Sequence, residues 1–288
     1  DLSFVPAEPG EFETVEVDHE YAVVPIEALA DAEGESVHLE AVVGQVKQTG
    51  GPTLFHLADG TGVVPAASFE SAGVRAHPEV ELGDAVHVSG VVERRDDGLQ
   101  VEADVVEPLG EDRTDAVLEE REARLDERSA PHENEPLVAW PALAAHLPEL
   151  ERVTARLRRA VLEHRPVVVR HHADTDGMCA AVPLVRALER FVEETHLAGD
   201  GSDHLVKRRP SRAPFYDVED VTRDLSHALE DRARHGQQLP LFVMIDNGST
   251  EEDVPAFRHL DAYDVPVVVV DHHHPDPDAV APYVDEHV

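Results

Sequence analysis

Aspartate and histidine recur in this chain in three groups, each placed directly after an apolar run. His171-His172-Ala173-Asp174-Thr175-Asp176-Gly177 follows Val167-Val168-Val169, Asp246-Asn247-Gly248 follows Leu241–Ile245, and Asp271-His272-His273-His274 follows Val267–Val270. One such junction is commonplace at a protein surface, but three within about a hundred residues are not. Carboxylate and imidazole are hard-to-borderline donors, suited to Mn²⁺ or Mg²⁺ rather than to a cysteine-type zinc site. Two divalent ions held roughly 3.5–4 Å apart can clamp a phosphodiester and activate water for in-line attack. Such a centre needs more carboxylates than one loop carries, which accounts for three strands contributing.

The apolar runs must position these groups. They are short, β-branched and apolar on both faces, which predicts buried parallel strands. In an open parallel sheet, ligands bind at the carboxyl ends of the strands, where these residues fall. Apolar spacing predicts a helix over 178–195 with Val182, Leu184, Leu188, Phe191 and Val192 inward and Cys179 packed on its apolar face. Further helices are expected over 140–164, 220–235 and 251–263. Strands alternating with helices predict an α/β domain with a parallel sheet. Gly177 and Gly248 are expected where backbone must approach closely.

The three motifs resemble those of the DHH phosphoesterase family. His172-Ala173-Asp174-Thr175-Asp176-Gly177 is similar to its first motif, Asp246-Asn247-Gly248 to its second, and Asp271-His272-His273 to the triplet that names it. The glycine after the second aspartate is similar to the RecJ-like single-strand exonuclease branch. The resemblance spans about residues 155–288. It implies a two-metal hydrolase using Mn²⁺ or Mg²⁺, with Asp174 on one ion, Asp176 and His272 on the other, and Asp246 bridging. His273 would meet the scissile phosphate, with Asp271 behind it orienting an imidazole. His172 is either a ligand of the first ion or a buried neighbour of one. The implied substrate is single-stranded DNA or RNA, in replication or repair and with replication or repair proteins as possible company. Alternatives are short oligonucleotides or cyclic dinucleotides, and a scaffold that has lost activity. The family's fourth-motif aspartate and C-terminal substrate domain would lie beyond Val288, so a longer protein with a truncated DHH domain is expected.

Ahead of this region the pattern changes. Five short alternating segments, within 37–43, 53–57, 63–69, 86–92 and 99–105, are separated by turn signals such as Asp59-Gly60, Gly83-Asp84 and Asp97-Gly98. This spacing fits a small all-β barrel, and its order resembles an OB-fold. The expected organisation is an OB-fold-like nucleic-acid-binding domain at 1–110, a charged linker or helix at 111–137, and the parallel-sheet DHH domain at 138–288. An OB-fold binds single strands with basic and aromatic side chains. Residues 31–110 hold 15 acids and four bases, with Phe55 and Phe69 as the only Phe, Tyr or Trp. The alternation favours core positions for both. Lys47, Phe55, Arg94 and Arg95 mark a candidate binding edge, and a barrel that binds protein or nothing stays open.

The chain has 288 residues and a formal charge of −36, and only Lys47 and Lys207 among its 24 bases are lysine. Acids spread over every segment with almost no lysine resemble proteins of extreme halophiles, where salt screens the self-repulsion. The dense basic run is Lys207-Arg208-Arg209-Pro210-Ser211-Arg212. It reads as a loop, and Lys207, Arg208, Arg209 and Arg212 are candidate phosphate contacts. A solvated loop paired with Asp217 and Glu219 is the alternative. Cys179 is the only cysteine, which excludes an internal disulfide. No apolar run approaches the length of a membrane span, and the N-terminus lacks a signal-peptide pattern. A cytoplasmic location without membrane contact is expected.

Overall fold

In the computed structural model, residues 21–70, 73–96, 98–131, 138–199 and 204–288 are described. The acidic stretch 1–20, Asp97 of the second hairpin turn and Pro136 of the charged segment lie outside them. Strands β1 (Ser36–Gln48), β2 (Thr53–Ala58), β3 (Val63–Ser68), β4 (Ala85–Arg95) and β5 (Gly98–Pro108) close into a barrel in the order β1-β2-β3-β5-β4. The alternating apolar residues point inward, so Leu39, Val43, Phe55, Leu57, Val86, Val88 and Val101 form one core. Closure leaves no sheet edge open.

Helix α1 (Glu111–Ser129) is the charged segment. It is packed rather than free. Val117 and Leu125 are buried, and Arg113 and Arg128 pair with Glu40 and Glu27. Its Glu122 meets Arg159 of α2 (Pro141–Leu162) at 2.6 Å.

The second domain is a five-stranded, wholly parallel sheet. Its strands are β6 (Val167–His172), β7 (Val206–Ser211), β8 (Leu241–Ile245), β9 (Val267–Val270) and β10 (Glu286–His287), in the order β10-β9-β8-β6-β7. Alternate residues of each strand face opposite layers. Val167, Val169, Leu241 and Val243 pack with α2 and α3 (Thr175–Thr195). Val168, Phe242, Met244 and Val267 pack with α4 (Val218–His235) and α5 (Val254–Asp261). After β6 the chain goes to the edge strand β7 and then returns to β8 on the other side of β6. That reversal makes the carboxyl ends of β6 and β8 the switch point at which such sheets bind ligands.

Three expectations are corrected. The basic run is not a loop but β7, paired with β6 from Val167↔Val206 to His172↔Ser211. Cys179 is exposed, because the buried stripe of α3 runs through Gly177, Ala181, Val185, Leu188 and Val192 and leaves position 179 on the far side. Phe69 stands one residue beyond β3 and is 45% exposed.

Candidate metal centre

The three motifs meet at the carboxyl ends of β6, β8 and β9. Asp174 caps α3, its carboxylate accepting from Gly177 N at 3.0 Å. A Cβ on Gly177 would lie 2.2 Å from His172 O and 3.0 Å from Asp246 Oδ2, so glycine alone lets the helix begin this close to the centre. Asp246 follows β8 in the left-handed region at φ 59°, sparsely used by residues other than glycine and frequent at functional sites. The third motif leaves β9 at Asp271.

Asp246 lies between two groups of donors. Its Oδ2 is 3.7 Å from His172 Nδ1, which is 3.3 Å from Asp174 Oδ2. Its Oδ1 is 2.9 Å from His272 Nε2 and 3.9 Å from His273 Nδ1. Asp176 is more exposed, with Oδ2 3.9 Å from His272 Nε2. His172, Asp174 and Asp246 bring three ligand atoms within 4.8 Å of one another, and so do Asp246, His272 and His273. Asp246 is common to both.

The donor set fits divalent cations. Asp246 is buried, and neither carboxylate oxygen accepts an aligned hydrogen bond; His172 Nδ1 is likewise buried without one. Buried polar atoms are rarely left unpaired, and a divalent cation held between His172 Nδ1 and the Asp174 and Asp246 carboxylates would give all of these atoms a partner. Burial, then the neighbouring Asp174 carboxylate, push Asp246 above the usual carboxylate range. The Gly177 N–H draws Asp174 below it.

Asp271 is placed behind this cluster. Its side chain is fully buried and accepts from Ser249 Oγ at 2.6 Å, His272 N at 2.8 Å and His273 Nδ1 at 2.7 Å. Burial opposes its charge, but the Ser249 and His273 hydrogen bonds outweigh burial and hold it below the usual range. The same bond to Asp271 raises His273. Ser249 escaped sequence reasoning, and so did the role of His171. His171 is fully buried, its Nδ1 on the His172 carbonyl at 2.6 Å and its Nε2 2.8 Å from Arg208 Nη1. The dipeptide Gly248-Ser249 after β8 was the available signal for the first. His274 is exposed and outside both groups.

Other candidates do not reach the centre. Phe55 is fully buried in the barrel and presents no face to a ligand. Arg94 is bound to Glu33 at 2.6 Å. Lys207 pairs with Asp231 at 3.1 Å, and Arg209 with the buried Asp224, so α4 rather than Asp217 or Glu219 neutralises these two bases. Asp224 also receives both arms of the buried Arg170, at 2.6 and 2.8 Å, and the Tyr216 hydroxyl at 2.9 Å. Arg208 and Arg212 are exposed and form no ion pair among the described residues.

Comparison with known proteins agrees with this anatomy. A model described as the OB-fold nucleic acid binding domain matches residues 37–109, and one described as the DHH family, N-terminal domain, matches 166–287. The chain carries a DHH domain behind an OB-fold. The DHH domain of a member of the s1p family of ribosomal proteins is similar in structure, with a TM-score of 0.60 and 43% identity over 62% of this chain and 42% of that one. An uncharacterised protein of Methanocaldococcus jannaschii is 42% identical over 266 residues, 90% of this chain and 35% of that protein's length. The chain thus spans about a third of that curated relative. No described helix is long and apolar enough to cross a membrane.

Proposed function

We propose that the DHH domain is a phosphodiesterase dependent on Mn²⁺ or Mg²⁺, of the RecJ-like kind, that removes nucleotides from an end of single-stranded DNA or RNA. The observation that carries this reading is the division of Asp246. One oxygen faces His172 and Asp174, and the other faces His272 and His273. A bridging carboxylate has this environment. His172, Asp174 and Asp246 would hold one ion; Asp246, His272 and Asp176 would hold the other. Bound there, divalent ions supply Lewis acidity toward the scissile phosphate and lower the pKa of water.

The protein's own groups do the rest. Asp271 fixes the His273 ring through Nδ1 and leaves Nε2 as the nitrogen available to the phosphate. Ser249 fixes Asp271 in turn. Arg208, held by His171, and Arg212, just past the carboxyl end of β7, are the phosphate contacts of the basic run. The even spread of acids with two lysines is read as adaptation to molar salt, which also suppresses weak phosphate binding and calls for specific contacts.

The test uses the full-length protein with 5′- and 3′-labelled single strands of DNA and RNA, in molar KCl with Mn²⁺ or Mg²⁺. Stepwise shortening from one end is expected, lost by several orders of magnitude in Asp246→Ala. Cleavage confined to short oligonucleotides or cyclic dinucleotides would move the assignment to them. Failure to cleave any phosphodiester would leave an inactive scaffold.

A further inference from the structure

Between β7 and α4 the chain crosses the carboxyl edge of the sheet beside the metal centre. Ser211 ends β7 opposite His172, and its carbonyl accepts from Ala173 N at 2.9 Å. Further on, Tyr216 N donates to Asp253 Oδ1 at 2.6 Å, in the segment that follows β8. β7 and β8 lie on opposite sides of β6, about 10 Å apart at the usual strand spacing. Residues 212–216 therefore pass the end of β6, where His172 stands. α3 packs on one face of the sheet, and Tyr216 belongs to the core of the other, with Phe242 and Phe257. The centre thus has the start of α3 on one side and this segment on the other.

We infer that residues 212–215 are a rim that seats the terminal nucleotide of a single strand, with Phe215 as the stacking face for its base and Arg212 as a contact for its phosphate. The inference deepens the phosphodiesterase reading and rests on it for the position of the scissile phosphate.

Phe242 and Phe257 are fully buried, and the half-buried Phe191 packs against the core beneath α3. Phe215 is half-buried too, yet it belongs to neither core of the DHH domain. Arg212 is exposed and forms no ion pair among the described residues, whereas Lys207 and Arg209 of the same basic run are each paired with an acid. A phenyl ring and an unpaired guanidinium on one short segment suit a nucleotide. Its phosphate takes the fork of an arginine, and its base stacks on an aromatic ring whatever the sequence. Metal ions and arginine hold phosphate alone and are indifferent to the base, so the ring adds what they lack.

The segment is fixed at both ends and stiff between them. Tyr216 is fully buried, its hydroxyl donating to Asp224 Oδ2 at 2.9 Å, and Asp224 is bound in turn by Arg170 of β6 and Arg209 of β7. Asp253 is fully buried and also accepts from Thr250 N at 2.9 Å and Thr250 Oγ at 2.8 Å. The loop that carries Asp246 and the segment that carries Phe215 are thereby tied together. Pro214 locks its own φ and restricts Ala213 before it, and no glycine lies between Ser211 and Tyr216. A rim held in this way loses little conformational freedom when a nucleotide seats on it.

Binding to the full chain is read from the anisotropy of fluorescein-labelled single strands with Ca²⁺ in place of Mn²⁺, electrophoresis confirming that the strands stay intact. Strands are compared in pairs that differ only in an abasic residue at the 5′ or the 3′ terminus, with the label at the other end. Loss of the base at one of the two ends should weaken binding to the unaltered chain about fivefold or more, the worth of one stacked base. Phe215→Ala should remove that difference by weakening the base-bearing strand alone. Phe215→Leu, which keeps an apolar side chain but has no ring, should do the same, and this separates stacking from packing. Arg212→Ala should weaken both strands by the same factor. Circular dichroism and Mn²⁺ affinity, unchanged in each variant, check the fold and the centre. An unaltered chain that is indifferent to the terminal base overturns the inference. So do Phe215 variants that keep the preference or weaken both strands alike, and an Arg212→Ala variant that weakens neither. A preference lost in both Phe215 variants upholds the rim even if no strand is cleaved, and the failure then belongs to the phosphodiesterase reading; cleavage without such a preference sinks the rim alone.

Discussion

Acid should loosen the joint between the domains, and His196 sets a large part of the effect. This residue ends α3 at the interface, 6% exposed, with Nε2–H donating to Val161 O at 2.9 Å. Burial lowers it from 6.5 to about 4. The folded chain therefore holds His196 neutral, while the unfolded chain protonates it near 6.5. Stability is complete above pH 6.5 and is lost as pH falls toward 4. At pH 5 the unfolded state is about thirtyfold favoured by protonation at this one site, which is about 2 kcal/mol. The fully buried His164, lowered by burial and by its neighbours His56 and His196, adds in the same direction. Carboxylates also titrate in this range, so the decisive quantity is a difference. Denaturant unfolding at pH 7.5 and pH 5, in constant molar KCl, should show a loss smaller by about 2 kcal/mol in His196→Gln, which keeps an N–H donor and does not protonate. Equal losses in the two proteins would refute the reasoning.

Three further outcomes are expected. Asp271→Asn should leave the fold intact yet weaken Mn²⁺ binding about 10–100-fold, because the His273 Nδ1–H and two backbone N–H groups lose a full carboxylate acceptor; titration calorimetry reads it. Arg170→Ala should cost about 3–5 kcal/mol in denaturant unfolding, since it leaves Asp224 buried with only Arg209 and Tyr216. The melting temperature should rise between 0.1 and about 2 M KCl as salt screens a charge of −36; a flat or falling curve would count against adaptation to salt.

Much of the fold was legible because it is written in local periodicity. Short valine-rich runs ending in Asp or His predicted buried parallel strands, and the turn signals between alternating segments predicted the barrel. What was not legible depended on distant partners. β7, with Val206 as its only apolar residue before four polar or basic positions and a proline, has no strand signature of its own. It is a strand because β6 pairs with it and because Asp224 and Asp231, on a helix that follows it in the chain, neutralise Arg209 and Lys207. Phe55 and Phe69 looked alike, but one sits in phase with the barrel core and the other just past the end of β3. Cys179 was misplaced because the buried stripe of α3 is set by where the helix meets the sheet, at Gly177 and Ala181, rather than by its apolar residues alone. The partners of Asp271 and Arg208, namely Ser249 after β8 and His171 within β6, lie far from them in sequence and meet them only in three dimensions.

In the proposed centre one carboxylate, that of Asp246, serves two cations. Mn²⁺ titration of the full chain in molar KCl, followed by calorimetry and by the Mn²⁺ electron paramagnetic resonance signal, tests it without any substrate. Two ions per chain, with spectral coupling between them, are expected, and Asp246→Ala should lose the coupling and weaken both sites together. Two uncoupled ions, or an Asp246→Ala variant that binds both as tightly as the unaltered chain, would contradict it.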